Sequence, residues 1–220
     1  MKEIFDFLYD LKQNNNKEWF DQNRDRYQST RTKFLTLTDI LINEVRGIDD
    51  SIKSLDSKDC MFRIFRDVRF SKDKRPYKAN YGSFIAPGGR KSSRAGYYIH
   101  FEPGQSFIGG GIYCPQPANL RAVRKEIYEN PEEFIQLIEQ PSFKKWYPEL
   151  VADGKLKIAP KGFPKDFEHI DLLRYKHYAT VSLVDDEILQ SDQLVKHIVE
   201  GFEVLYDFNL FINRAIDHWK

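Results

Sequence analysis

The amino-acid sequence predicts an α+β fold: a central, mostly antiparallel sheet covered by long N- and C-terminal helices. Three observations carry that prediction. Apolar residues recur at helical spacing near both ends of the chain. From about residue 59 to residue 114 the period falls to two, as in strands with one buried face. Pro103-Gly104 then joins two neighbouring strand patterns with no room for a helix between them, which argues for an antiparallel meander and against a βαβ unit. With 220 residues, 41% of them hydrophobic, the chain is long enough to bury a core without disulfide or metal staples, and a single α+β domain over residues 1–220 is expected.

The elements follow in order. Residues 1–13 read as an amphipathic helix with Ile4, Phe5, Leu8 and Leu11 on one face. Asn14 to Asn16 interrupt it. Asn15, with Glu18 three residues later, approximates a capping box that opens a second helix. Phe20, Tyr27, Phe34, Leu37, Leu41 and Val45 mark the apolar face of that helix, and Gly47 is its expected stop. Strands are predicted over 60–65, 82–86, 94–102 and 106–114. In the third, Tyr97, Ile99 and Phe101 share one face, while Tyr98, His100 and Glu102 share the other. Helical spacing returns over 119–129 and 131–139, with Pro131 at a first helical position. Residues 141–170 are rich in Pro and Gly and read as irregular; one more strand falls within 172–184. The last helix runs from Asp192 to Trp219 on Leu194, Ile198, Phe202, Leu205, Ile212, Ile216 and Trp219. There is no internal repeat, low-complexity tract or linker.

Composition removes several classes of function. A net charge of +1 argues against an extended nucleic-acid coat. Cys60 and Cys114 are too few for a disulfide framework or a four-thiolate zinc site, and their apolar neighbours suggest buried small hydrophobes. Acidic residues near the N-terminus and the lack of any apolar run of ~20 residues point to a cytoplasmic chain with no membrane partner. His169 and His177 lack metal-ligand spacing, and neither a Gly-x-Ser-x-Gly elbow nor a His-Glu-x-x-His helix occurs, so no metal and no cofactor are expected. Gly88-Gly89-Arg90-Lys91-Ser92 lacks the spacing of a phosphate-binding loop and reads as a mobile connection. Gly109-Gly110-Gly111 lies in a strand, where glycines mark a bulge or the close approach of another backbone or a ligand. Oligomeric state has no signal in the sequence.

One segment carries chemistry. Between Arg63 and Lys78 stand seven Lys or Arg and two Asp, a local charge of +5, which leaves −4 for the rest of the chain. Basic residues alternate with aromatic and aliphatic ones, so some cationic heads should sit beside a packed surface. Arg grips phosphate or carboxylate through two parallel hydrogen bonds, more strongly when partly desolvated. Arg63, Arg66, Arg69, Lys72, Lys74, Tyr77 and Lys78 are therefore candidates for an anion pocket. The bland alternative is a solvated face in which Asp67 and Asp73 each neutralise one or two bases. Tyr98, His100 and Glu102 are the candidate catalytic set, being within one strand face and able to pass a proton; their bland alternative is the wet side of a half-buried sheet.

The run Arg63-x-x-Arg66-Asp67-x-Arg69-Phe70-Ser71-Lys72-Asp73-Lys74-x-Pro76-Tyr77-Lys78 resembles the signature of an uncharacterised family, the domain of unknown function 2461 family. Gly96-Tyr97-Tyr98-Ile99-His100 with Glu102-Pro103-Gly104 is similar to its central sheet motif. Gly109 to Tyr113, then Pro115, Leu120 and Arg124, are similar to its glycine-rich strand and following helix. That places Arg124 among the candidate ligand-binding residues. Lys161-Gly162-Phe163-Pro164-Lys165-Asp166 with Asp171-Leu172-Leu173-Arg174 resembles its C-terminal motif. Where the family pattern has His-Pro after that acid, this chain has Phe167-Glu168. The resemblance implies the fold and a single domain, and no activity. Three functions compete. The first is a small anionic ligand in a basic-aromatic pocket, with an enzymatic role open. The second is a structural or interaction module with internally paired charges. The third is single-stranded nucleic-acid binding.

Overall fold

The computed structural model describes residues 1–219 and has the expected α+β architecture. Helix α1 (Lys2–Gln13) buries Ile4, Phe7, Leu8 and Leu11. Phe7 thus takes the core position expected of Phe5, which is half-buried and stacks on Phe101 at 5.5 Å. The second predicted helix is two: α2 (Lys17–Gln22) and α3 (Arg24–Ile48), divided at Asn23, whose side-chain amide donates to the Trp19 carbonyl. Its cap is Asn16, not Asn15: the Asn16 Oδ1 accepts the Trp19 N–H at 3.0 Å. The α3 helix buries Phe34, Leu37, Leu41 and Val45 as predicted and passes Gly47 by one residue.

The first predicted strand is not a strand. Residues Ser57–Cys60 form a single helical turn, α4, capped by Asp56. The chain that follows makes only isolated bridges, Met61 to Ser83 and Phe65 to Tyr77. The sheet comprises β1 (Tyr81–Ile85), β2 (Gly96–Phe101) and β3 (Phe107–Ile112), with a 3-10 turn at Gly89–Lys91 between the first two. Helices α5 (Pro117–Glu129), α6 (Pro131–Glu139), α7 (Pro141–Trp146) and α8 (Ile170–Leu173) precede β4 (Tyr178–Leu183). A short α9 (Asp186–Gln190) leads to α10 (Leu194–His218). Sheet order is β1-β2-β3-β4, so the predicted meander stands and β4 joins it at the β3 edge. Both α7 and α9 were illegible as helices because they are a turn or two long, below the length at which periodicity is readable.

The residues gather into two compact units. One comprises residues 1–91, 98–108 and 183–199, and the other 92–97, 109–182 and the chain from Glu200 onward. In the first, Phe34 packs on Tyr81 and Phe101 with centroids 5.4 and 5.3 Å apart. Its buried hydroxyls are satisfied in pairs, Thr30 with Tyr81 and Thr38 with Ser83, each at 3.0 Å. In the second, Phe134, Phe143, Phe208 and Phe211 form the aromatic centre. The three glycines of β3 allow close approach of backbone. A Cβ at Gly110 would lie 2.7 Å from the Gly96 carbonyl and 2.8 Å from Leu205, and one at Gly111, where φ is +94°, would strike the Tyr178 carbonyl. Asn209, almost fully buried on α10, accepts the Gly111 N–H at 2.9 Å and donates to the Gly96 carbonyl at 3.2 Å.

Cys60 is buried as expected, and burial pushes its thiol up to about 12. Cys114 is exposed, against expectation. The ladder ends at Ile112, so Tyr113 and Cys114 turn outward. Cys114 adopts a left-handed φ of 50° and donates its N–H to His177 Nδ1, while Tyr113 stacks on the His177 ring at 4.4 Å. Among the described residues no helix is long and apolar enough to cross a membrane.

Candidate functional site

The basic segment folds back on itself within the first unit. Arg66 N–H donates to the Pro76 carbonyl at 2.9 Å and Lys78 N–H to the Ile64 carbonyl at 2.7 Å, closing a loop over residues 67–75. Asn15 holds the return strand from outside: its side chain donates to the Tyr77 carbonyl and accepts the Tyr77 N–H, at 3.0 and 3.1 Å. Freed of the capping role, Asn15 thus clamps the segment to the start of α2. The Tyr77 ring stacks on Phe20 at 4.0 Å and is buried, so Tyr77 anchors the segment and does not offer a face to a ligand.

The cations divide into two groups. In the outer group, Arg69 grips Asp67 through Nε and an Nη, at 2.9 and 2.6 Å. Arg75 grips Asp73 in the same way, with Nη to Oδ2 at 2.7 Å. These contacts hold the Asp67 and Asp73 carboxyls well below the usual carboxylate range. Lys74 donates to the Val68 carbonyl, and Lys72 is exposed. In the inner group, Arg63, Arg66 and Lys78 line one open cavity of about 380 Å³, together with Phe62, Phe65 and Asp67. Arg66 also reaches Asp73 at 2.5 Å. Sequence reasoning missed the fourth cation of the cavity, Arg90. Its guanidinium donates to the Lys58 carbonyl at 2.6 Å, and its place depends on Gly89, where a Cβ would stand 2.5 Å from the Asp59 carbonyl oxygen. The adjacent pair Gly88-Gly89, both with positive φ, was the available signal.

Lys78 is the centre of the inner group. Its ammonium lies 5.6 Å from the Phe62 ring centroid. Burial, then repulsion from Arg63 and Arg66, pulls its pKa below the ordinary lysine value. No carboxylate is in ion-pair contact with Lys78, Arg63 or Arg90 among the described residues.

Beside this cavity runs the second candidate set. Tyr98 OH lies 3.2 Å from His100 Nδ1, His100 Nε2 lies 3.2 Å from Glu102 Oε2, and Lys12 on α1 reaches Glu102 Oε1 at 3.4 Å. The alternation of β2 puts all three on one face, as the sequence predicts. The His100 ring stacks on Phe107 at 4.5 Å, and Phe62 packs edge-on against Tyr98. Burial lowers the His100 pKa despite Glu102, and Lys78 adds to the lowering. Burial pushes the Tyr98 phenol up to about 12. Both rings are therefore neutral near pH 7. With Glu102 accepting Nε2–H, Nδ1 is the acceptor for the Tyr98 hydroxyl. Phe62 and Lys78 connect the cationic cavity to this chain. Arg124 belongs to the second unit, where it donates to the Tyr175 carbonyl at 2.8 Å.

A family described as a conserved hypothetical protein, DUF2461, matches residues 3–211. The chain belongs to the DUF2461 family. The match spans the basic loop, the Tyr98–His100–Glu102 face and the motif at 161–166. No curated protein and no solved structure matches the chain. Where this DUF2461 chain departs from the expected His-Pro, Phe167 packs on Tyr128 at 4.9 Å and its edge meets the His169 ring at 5.8 Å.

Proposed function

We propose that the cavity bounded by Arg63, Arg66, Lys78 and Arg90 binds a small phosphate- or carboxylate-bearing ligand, with Tyr98, His100 and Glu102 as a proton-transfer chain beside it. One observation carries the reading. A half-buried lysine is pressed by two arginines, and no acid is in contact with it to relieve the repulsion. A bound anion supplies the missing charge, and a hydrogen bond to a charged group contributes about 1.5–3 kcal/mol. Asp67, on the cavity rim, is already engaged by Arg69. The neutral imidazole of His100 is poised to accept a proton through Nδ1, passing positive charge toward Glu102. That arrangement suits an enzyme as well as a binding protein.

Thermal denaturation with inorganic phosphate, sugar phosphates, nucleotides and organic acids tests the proposal. A ligand at a hundred times its dissociation constant stabilises the fold by about 2.7 kcal/mol. Lys78→Ala and Arg63→Ala should abolish that stabilisation, whereas Arg75→Ala, in the outer group, should keep it. Failure of every anion to stabilise, or an undiminished response in Lys78→Ala, overturns the proposal.

A second reading, single-stranded nucleic-acid binding, draws on a different observation. Phe70 is 96% exposed at the tip of the basic loop, with the Arg69 guanidinium 6.0 Å from its ring. Bases stack on such aromatics. Polarisation with a labelled oligothymidylate should show affinity that falls steeply with salt and drops in Phe70→Ala; a flat salt response removes this reading. A cytoplasmic location remains an expectation, checked by cell fractionation.

A further inference from the structure

The second unit contains a larger cavity, of about 550 Å³, within the size range of small-molecule sites. One wall is α5, which presents Arg121, Lys125 and Glu129 at four-residue spacing and therefore on one side of the helix. The opposite wall is the loop Gly162-Phe163-Pro164. Tyr128, Trp219 and the small Ala118 and Ala122 also line the space.

The aromatic walls are held before any ligand arrives. Trp219 donates its indole N–H to the Glu126 carboxylate at 2.7 Å, and Lys125 lies 3.6 Å from its ring centroid. Glu126 is itself buried and paired with Arg214. Tyr128 meets Phe163 edge-on at 5.7 Å. Gly162 has φ +91°, a left-handed turn that suits glycine, and a Cβ there would lie 3.7 Å from an Arg121 Nη. The Arg121 guanidinium therefore reaches from the helix toward the loop. Among the described residues no carboxylate is in ion-pair contact with Arg121 or Lys125. The one acid on the stripe, Glu129, is two helical turns from Arg121, ~12 Å along the axis at ~1.5 Å per residue.

We infer that this cavity is a second ligand site, for a flat aromatic anion whose ring lies against Tyr128 and Phe163 and the edge of Trp219, the faces of that indole being covered by His218 and Lys125, and whose carboxylate or phosphate meets Arg121. Aromatic side chains favour a planar ring over an aliphatic body of equal volume. The guanidinium selects a planar or tetrahedral anion by paired hydrogen bonds.

Calorimetric titration with 2-naphthoate, 2-naphthamide and decahydro-2-naphthoate tests the site on the full chain. One equivalent of 2-naphthoate should bind, and both analogues should bind about tenfold more weakly, the loss expected for one charge-assisted hydrogen bond or one stacking contact. Arg121→Ala should weaken 2-naphthoate about tenfold, with Arg121→Lys between the two; Arg121 is exposed, so both variants should keep the wild-type melting temperature. Lys78→Ala should bind 2-naphthoate as the wild type does, which separates this site from the basic cavity of the first unit. Absence of binding at millimolar 2-naphthoate, equal affinity for the amide, or loss in Lys78→Ala without loss in Arg121→Ala overturns the inference.

Discussion

At Gly82 the backbone makes room for the Tyr98 phenol: a Cβ there would stand 2.5 Å from its hydroxyl oxygen and 3.1 Å from Cζ. Gly82→Ala should therefore destabilise the fold by about 1–3 kcal/mol in urea denaturation, as overpacking does. Adding Tyr98→Phe should recover part of the loss; an unchanged midpoint in Gly82→Ala would show that Tyr98 moves freely. His100 makes a prediction about pH. Its folded pKa lies below the ordinary histidine value of about 6.5. As pH falls through that value, the unfolded chain takes up a proton that the folded chain declines until lower pH, so the native state loses stability on acidification. The stability margin of wild type over His100→Gln should narrow from pH 7.5 to pH 5.5, and a constant margin would contradict burial of a neutral ring. Lys78 reverses the sign of proton flow on binding. Its pKa is lowered in the cavity and should rise beside an anion, so phosphate binding in the alkaline range where the lysine titrates should take up protons. Titration calorimetry in buffers of differing ionisation enthalpy reads that uptake directly.

Along α10, Asn209 does for two strands what backbone does elsewhere, accepting from Gly111 and donating to Gly96. Asn209→Ala leaves a buried N–H and a buried carbonyl without partners. A loss of about 2–4 kcal/mol is expected, with faster hydrogen exchange at the Gly111 amide; slow exchange there in the variant would mean another donor or water replaces the side chain. At the other end, two adjacent asparagines divide two tasks. Asn16 caps α2 and Asn15 clasps Tyr77. Local spacing suits either residue to the cap, because both precede an acid within the first turn. The contact that assigns Asn15 elsewhere comes from a residue 62 positions away. The missed strand at 60–65 has a similar cause. Its alternation is real, with Ile64 buried and Arg63 exposed, yet only single bridges form because the chain diverges into the basic loop.

For the molecule as a whole, β2, β3 and α10 each contribute residues to both compact units. Melting any of these elements breaks hydrogen bonds in both. A single cooperative transition is therefore expected, with one midpoint by tryptophan fluorescence and by far-ultraviolet circular dichroism; two separated transitions would replace the expected single domain with two. The charge distribution belongs here as well. A chain of net charge +1 with +5 confined to residues 63–78 presents a local and not a general attraction for anions.

Periodicity was enough to read the long helices, the meander and the shared face of Tyr98, His100 and Glu102, because side-chain direction repeats with the backbone every 3.6 or 2 residues and needs no distant partner. Even the outer ion pairs were within reach of local reasoning: Asp67 and Asp73 each stand two residues before the arginine they grip. Which cations share a cavity was not readable. Arg90 joins Arg63 and Lys78 through a glycine turn, and Phe62 links them to Tyr98 across the sheet face. The head of a long flexible side chain is positioned by where loops close and what packs beneath it, and those contacts link residues far apart in the chain.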